Sequence, residues 1–147
     1  MQTLEVKPNT SRLMFDLDIP KDTNKIVYYR YLFNSTEPLV ETLIFDKLKD
    51  LYTITNRYQV QNFIYEKMNL LEVLKEVHGE INRIFKHNIR ELKIEHFCDP
   101  EDDYEMLIIN IDTSLSIEED LNLLEQFYDD FWLDKDASIR NFITVTV

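Results

Sequence analysis

The sequence contains a single glycine, Gly79, among 147 residues. Phosphate-binding loops, dinucleotide-binding fingerprints, kinase glycine loops and the G-x-S-x-G elbow of hydrolases each need two or more glycines, because their backbones turn tightly or approach a ligand closely. These nucleotide-binding and hydrolase classes are therefore excluded. The single cysteine, Cys98, likewise excludes an intramolecular disulfide and a cysteine-rich zinc module.

The length and the 44% hydrophobic content are typical of one globular domain with a core that needs no disulfide or metal. We expect residues 1–147 to form a single domain, with an N-terminal layer at 1–56 and a core at 57–147. No apolar run approaches the roughly 20 residues of a membrane span, and residues 1–10 lack the apolar stretch of a signal peptide. The sequence therefore predicts a cytoplasmic protein that does not bind membranes.

The first third of the chain predicts a hairpin followed by a helix. Residues 12–19 alternate apolar and polar side chains, and the β-rich run at 25–33 follows a turn-forming segment. Glu37-Pro38 is typical of a helix start, and near-helical apolar spacing continues to about Tyr52. Residues 53–66 fit either a strand or the beginning of a helix, and their β-branched and aromatic residues favour a short strand at 57–65.

The rest of the chain has clearer periodicity. An apolar stripe predicts a helix from Asn69 to about residue 87, and strands at 92–97 and 104–111 are expected to form a hairpin around the turn 98–103. Ser116 to Glu119 form a capping box, which predicts a helix that ends near Trp132. The closing run 138–147 predicts a last strand. The expected buried stripe of this helix, which begins at Ser116, comprises Ile117, Leu121, Leu124, Tyr128 and Phe131.

This succession of elements predicts the fold class. From about residue 57 the order is β-α-β-β-α-β, preceded by the N-terminal hairpin and helix. That order is typical of a ferredoxin-like α+β fold, in which helices cover one face of an antiparallel sheet.

The net charge of −12 is concentrated in the last third of the chain. Residues 1–97 are electrically neutral, whereas residues 98–147 contain 14 acids and only two cations, Lys135 and Arg140. An acidic surface repels nucleic acids and anionic membranes, because binding to either depends on Lys and Arg. The same surface attracts a basic protein partner, although carboxylates at this density can also serve only to keep a protein soluble.

The segment from His96 to Asp103 contains imidazole, thiol and carboxylate groups that could form a metal or catalytic site. The spacing fits neither a calcium loop nor a zinc site, and His96 and Cys98 lie two positions apart on one strand, too far for an easy hydrogen bond. We therefore expect no catalytic residue, metal or cofactor, and the sequence favours a protein that is not an enzyme over one that is. An enzyme with a carboxylate or His–Cys site at residues 96–103 stays an alternative.

A dense set of aromatic residues near the end of the helix that begins at Ser116 predicts a protein interface. Phe127, Tyr128, Phe131 and Trp132 exceed what one helix face can bury, although all four could instead fill the core. A homo-oligomer that uses these aromatics is a further alternative. The predicted partner-binding residues are Asp99, Glu101, Asp102, Asp103, Asp129, Asp130 and Trp132.

Residues 70–147 contain the helix LLEVLKEVHGEINRIF, the turn CDPEDD, the helix start LSIEED and the helix end LEQFYDDFWLD. With these motifs, the segment resembles a small prokaryotic protein family with no assigned activity. It implies no catalytic residue or cofactor. Residues 1–69 show no such resemblance.

Overall fold

A computed structural model describes residues 36–147 of the chain, with side chains from residue 42 onward. The predicted hairpin at 12–33 lies outside the described residues. Short 3₁₀ turns occupy Lys86–Asn88 and Trp132–Asp134. In chain order the remaining elements are α1 (Thr36–Leu48), β1 (Thr53–Ile54), α2 (Arg57–Glu66), α3 (Asn69–Phe85), β2 (Ile89–Asp99), β3 (Tyr104–Thr113), α4 (Ile117–Asp130), α5 (Ala137–Arg140) and β4 (Ile143–Thr146).

The chain divides into two compact units. Among the described residues, the first comprises 36–47 and 61–69, and the second comprises 48–60 and 70–147. The second unit therefore contains the whole described sheet and the acidic third of the chain. Buried side chains of the first unit include Ile44, Gln61, Phe63, Ile64 and Tyr65.

The described strands form one sheet in the order β1-β2-β3-β4. The predicted α+β class is confirmed, but the expected antiparallel sheet is wrong, because β1 pairs with β2 and β3 pairs with β4 in parallel. Only β2 and β3 are antiparallel, from Ile89↔Thr113 at one end to Asp99↔Tyr104 at the other. Each outer strand thus pairs with the central strand next to it in sequence, so the ferredoxin-like topology is not reproduced.

Residues 57–65 form part of helix α2 and not the predicted strand; the first strand is instead the pair Thr53–Ile54. Burial follows a helical period, because Val60, Phe63 and Ile64 are buried while Tyr58 is 64% exposed. A strand would place Tyr58 on the same face as Val60 and Ile64. Asn56 precedes the helix with a left-handed φ of 59° and its carbonyl oxygen accepts a hydrogen bond from Val60 N.

In the part of the chain that the structure describes, the sheet has one buried face and one more exposed face, which we call the open face. Side chains alternate along each strand, so that Ile94, Ile109 and Val145 are buried whereas Lys93 and Glu95 are exposed. An ion pair links α3 and α4, with Arg83 Nη2 3.7 Å from Asp130 Oδ2. The helices carry the apolar side chains that can cover the sheet, including Leu74, Ile81 and Phe127.

Helix α4 begins where the capping box predicts, because the Ser116 hydroxyl oxygen accepts a hydrogen bond from Glu119 N at 3.2 Å. Its predicted buried stripe is wrong at two positions. Ile117 is 76% exposed and Leu121 is 52% exposed, and Phe127 is the buried residue of the helix. The buried face is therefore rotated away from the predicted stripe.

The end of the chain contains more helix than predicted. Residues 137–140 form the short helix α5, and β4 is limited to Ile143–Thr146 rather than 138–147. Ile143 and Val145 are buried, as the alternating pattern predicts.

Candidate protein-binding site

The predicted acidic turn between β2 and β3 presents three carboxylates to solvent. Glu101, Asp102 and Asp103 are exposed. Asp99 shapes the turn instead, because its Oδ1 accepts a hydrogen bond from Glu101 N at 2.9 Å and its carbonyl oxygen accepts one from Asp103 N at 3.0 Å. Asp103 closes the turn with a left-handed φ of 55°, a conformation that Asp tolerates better than most residues.

A second group of carboxylates lies on the outer side of α4. Glu118, Glu125 and Asp129 are exposed, and their spacing of seven and four residues places them within an arc of about 40° on the helix. This arc faces away from the buried Phe127. We call these three residues the acidic stripe.

The predicted residues Asp129 and Asp130 have different surroundings. Asp129 belongs to the acidic stripe, whereas Asp130 lies near Arg83 of α3 and accepts a hydrogen bond from Gln126 Nε2 at 3.3 Å. The negative charge of Asp130 is therefore partly offset within the molecule. Asp129 is the stronger candidate for contact with a partner.

Trp132 belongs to the core and not to the surface. Only 2% of its surface is exposed, and its ring stacks on Phe127 with centroids 6.1 Å apart and planes inclined by 21°. Phe131 packs against both rings. Trp132 therefore cannot act as an exposed anchor, and the alternative that the aromatic side chains fill the core is the better description for Phe127 and Trp132.

Two apolar side chains lie beside the acidic stripe, at positions that the sequence pattern predicted to be buried. Leu121 has Ile117 four residues before it and Glu125 four residues after it, so all three are neighbours on the helix surface. We call the exposed pair Ile117 and Leu121 the apolar ridge. The sequence alone does not reveal this exposure, because the buried side of the helix is defined by Phe127, whose burial is known only from the structure.

Among the described residues, the two cations of the last third, Lys135 and Arg140, are not paired with the acidic turn or the acidic stripe. Lys135 Nζ lies 2.5 Å from Glu76 Oε1 of α3 and 4.8 Å from the centre of the Phe131 ring. Arg140 Nε donates a hydrogen bond to the carbonyl oxygen of Lys135 at 2.8 Å. Within the described part of the chain, neither cation forms an ion pair with the acidic turn or the acidic stripe.

The two members of the proposed His–Cys pair have different surroundings. His96 Nε2 lies 3.7 Å from Glu105 Oε1, on the neighbouring strand, and Cys98 is an exposed free thiol. Residues 42–147, whose side chains are described, contain no group of three or more His, Cys, Asp or Glu side chains that could hold a metal ion.

The open face of the sheet contains a shallow groove of about 410 Å³. Its polar lining includes Lys93 and Glu95, whose opposite charges favour neither an anionic nor a cationic ligand. The groove is further lined by Thr55, Ile108, Asn110 and Thr146.

Two aromatic side chains are partly exposed at the end of β2 and β3 that adjoins the acidic turn. Phe97 is 42% exposed and Tyr104 is 41% exposed.

A smaller cavity of about 290 Å³ adjoins Tyr52 and His78. The two rings meet edge to face with centroids 5.7 Å apart, and Asn82 Nδ2 donates a hydrogen bond to the carbonyl oxygen of His78 at 2.8 Å. Burial lowers the pKa of His78 below its ordinary value of 6.5 and raises the pKa of Tyr52. Both rings are therefore held in their neutral forms near neutral pH.

Comparisons of the chain with models of protein families, with curated proteins and with solved structures find no match. The resemblance of residues 70–147 to a prokaryotic family stays a prediction. Among the helices that the structure describes, none has the length and apolar character required to cross a membrane.

Proposed function

We propose that the protein is a non-catalytic binding protein whose acidic C-terminal third docks a basic protein, as an inhibitor or accessory subunit of that partner. The observation that carries this proposal is the exposure of the acidic turn and the acidic stripe without cations from residues 98–147 to neutralise them. The groove on the open sheet face and the His96–Cys98 segment offer no comparable basis for catalysis.

Surface charge of one sign acts mainly on the rate of association. Complementary potentials steer two proteins together, and salt weakens this attraction because the screening length is only about 8 Å at physiological ionic strength. A basic partner would therefore associate quickly at low salt and more slowly as salt rises. A nucleic acid would be repelled at all salt concentrations at which charge is not fully screened.

The test compares two triple variants with equal charge changes. The first neutralises the turn with Glu101→Gln, Asp102→Asn and Asp103→Asn. Asp99 is kept because it shapes the turn, and Asn tolerates the left-handed conformation at 103. The second, the control, carries Asp50→Asn, Glu66→Gln and Glu72→Gln, which are exposed positions in the electrically neutral part of the chain.

Each variant is measured for its association rate, at low and moderate ionic strength, with a partner captured by the native chain from its source cells. The turn variant should associate more slowly at low salt and show a flatter salt dependence, whereas the control variant should resemble the native chain. Both should fold, because exposed substitutions usually change stability by no more than about 0.5 kcal/mol. Equal effects of the two variants, or no salt dependence in the native chain, would refute the proposal.

A further inference from the structure

Helix α4 combines exposed apolar side chains with exposed carboxylates on adjacent sides. Leu121 is 52% exposed. Ile117 lies on one side of it, and Glu118 and Glu125 of the acidic stripe lie on the other. On a helix, residues three and four apart have Cβ atoms roughly 5–6 Å apart, so each of these three side chains adjoins Leu121. Apolar groups with a charged rim are the usual composition of a protein interface.

We infer that the outer surface of α4 is the contact element for the basic partner, with Ile117 and Leu121 as apolar anchors and Glu118 and Glu125 as their charged rim. This inference rests on the proposed function, because it requires a basic partner. The occupant is an amphipathic basic helix whose apolar face meets the ridge and whose Lys or Arg side chains meet the acidic stripe.

Charge complementarity selects this occupant over a second copy of the chain. A symmetric dimer through α4 would place the acidic stripe of one copy against the same residues of the other, since a two-fold interface uses the same surface on both subunits. Opposed carboxylates at such an interface destabilise it. A basic helix gains from the same arrangement, because its cations offset Glu118, Glu125 and Asp129.

The apolar ridge gives the contact a component that salt does not screen. Burial of a leucine side chain stabilises a complex through the hydrophobic effect, which depends on apolar area and not on charge. Removal of Leu121 should therefore weaken binding at every salt concentration. Removal of Glu118 and Glu125 should weaken it mainly at low salt.

The probe is a synthetic peptide of leucine and lysine in which leucines recur at positions i, i+3, i+4 and i+7, so that a helix presents one apolar and one basic face. A peptide of the same composition in scrambled order, without an apolar face, is the control ligand. Binding to the full chain is measured by fluorescence anisotropy at low and moderate salt. The protein variants are Leu121→Ser, the pair Glu118→Gln with Glu125→Gln, and Leu133→Ser, which alters a leucine of matched 53% exposure outside α4.

We expect Leu121→Ser to raise the Kd about tenfold at both salt concentrations, because it removes apolar area that the complex buries. The double glutamine variant should raise the Kd severalfold at low salt only, and Leu133→Ser should change it less than twofold. The scrambled peptide should bind more weakly than the amphipathic one and should be insensitive to Leu121→Ser.

Failure of the inference can be told apart from failure of the proposed function. If neutralisation of the turn or the stripe weakens peptide binding while Leu121→Ser matches Leu133→Ser, the ridge is not the anchor and only the inference is refuted. If no acidic variant alters binding of either peptide, the proposed function is refuted as well. If the native chain sediments as a dimer that Leu121→Ser dissociates, the ridge is a self-association surface and the inference is wrong.

Discussion

The hydroxyl group of Tyr52 donates a hydrogen bond to the main-chain carbonyl oxygen of Leu74, with 2.7 Å between the two oxygen atoms. Tyr52 is only 3% exposed, and burial raises the pKa of its phenol, so the proton needed for this bond is retained. The bond fixes the segment before β1 to the middle of α3. It joins two parts of the second compact unit that are distant in sequence.

Loss of this hydroxyl group should lower the free energy of unfolding. We expect Tyr52→Phe to cost about 0.5–1.5 kcal/mol, the usual net value of a buried hydrogen bond, and Tyr52→Ala to cost about 3–5 kcal/mol because it also leaves a cavity. Tyr58→Phe, at an exposed position, is the control. Urea denaturation of the three variants provides the measurement, and equal stability of Tyr52→Phe and the native chain would show that the bond contributes nothing.

Acidification should destabilise the protein through His78. Its pKa is lowered in the folded state by burial, so below about pH 6.5 the unfolded state binds more protons than the folded state. This contribution to stability is present above the unfolded pKa and is lost as the pH falls toward the lower folded pKa. His78→Gln should therefore show a smaller loss of unfolding free energy between pH 7.5 and about pH 5 than the native chain. A slope as steep in the variant as in the native chain would contradict this expectation.

The N-cap of α4 should be measurable as a local contribution to stability. Ser116→Ala removes the oxygen that accepts the hydrogen bond from Glu119 N, and we expect a cost of about 1 kcal/mol. Ser116→Asn should retain most of the stability, because Asn is also a favoured N-cap residue. Ser114→Ala, a nearby exposed position, should change the unfolding free energy by less than about 0.5 kcal/mol.

The burial of Trp132 can be tested by fluorescence, since it is the single tryptophan of the chain. The structure places its ring against Phe127, so acrylamide should quench its emission weakly in the folded protein and strongly in urea. Trp132→Ala should cost about 3–5 kcal/mol, whereas Leu133→Ala at the adjacent exposed position should be near neutral. Strong quenching in the folded protein would show that Trp132 is exposed at the surface and would contradict its burial in the structure.

Elements with strong local signals were predictable from the sequence. The apolar stripe of α3 is the clearest pattern. All seven side chains that form it are buried: Leu70, Leu71, Leu74, Val77, Ile81, Ile84 and Phe85. Helix α4 was predicted at its start because Ser116 and Glu119 form a cap within one turn. The β2–β3 hairpin was predicted because its strands alternate on either side of a turn rich in Asp and Pro.

Features set by tertiary packing were not predictable. The segment 57–66 contains residues that suit both a strand and a helix, and only the burial of Val60 and Ile64 together with exposure of Tyr58 decides between them. The aromatic end of α4 offers two candidate apolar faces, and Phe127 defines the buried one through contacts with Phe131 and Trp132. The apolar ridge, which is the main component of the inferred binding site, was therefore predicted to lie in the core.

The order of the strands depends on pairings between distant residues, which local patterns do not encode. Thr53 pairs with Lys93, and Leu107 pairs with Ile143, each across two intervening helices. The same succession of strands and helices is compatible with the ferredoxin-like order and with the observed one. Periodicity therefore predicts most of the elements but not their neighbours in the sheet.

The strand order also has a kinetic consequence. The two central strands are joined by a tight turn and close a short loop, whereas each outer strand must wait for a helical crossover to form before it can pair. Assembly is therefore expected to begin at the hairpin and to proceed outward on both sides. The short outer strands β1 and β4 would be the last to dock and the first to open, so their amide protons should exchange with deuterium sooner than those at the centre of β2 and β3.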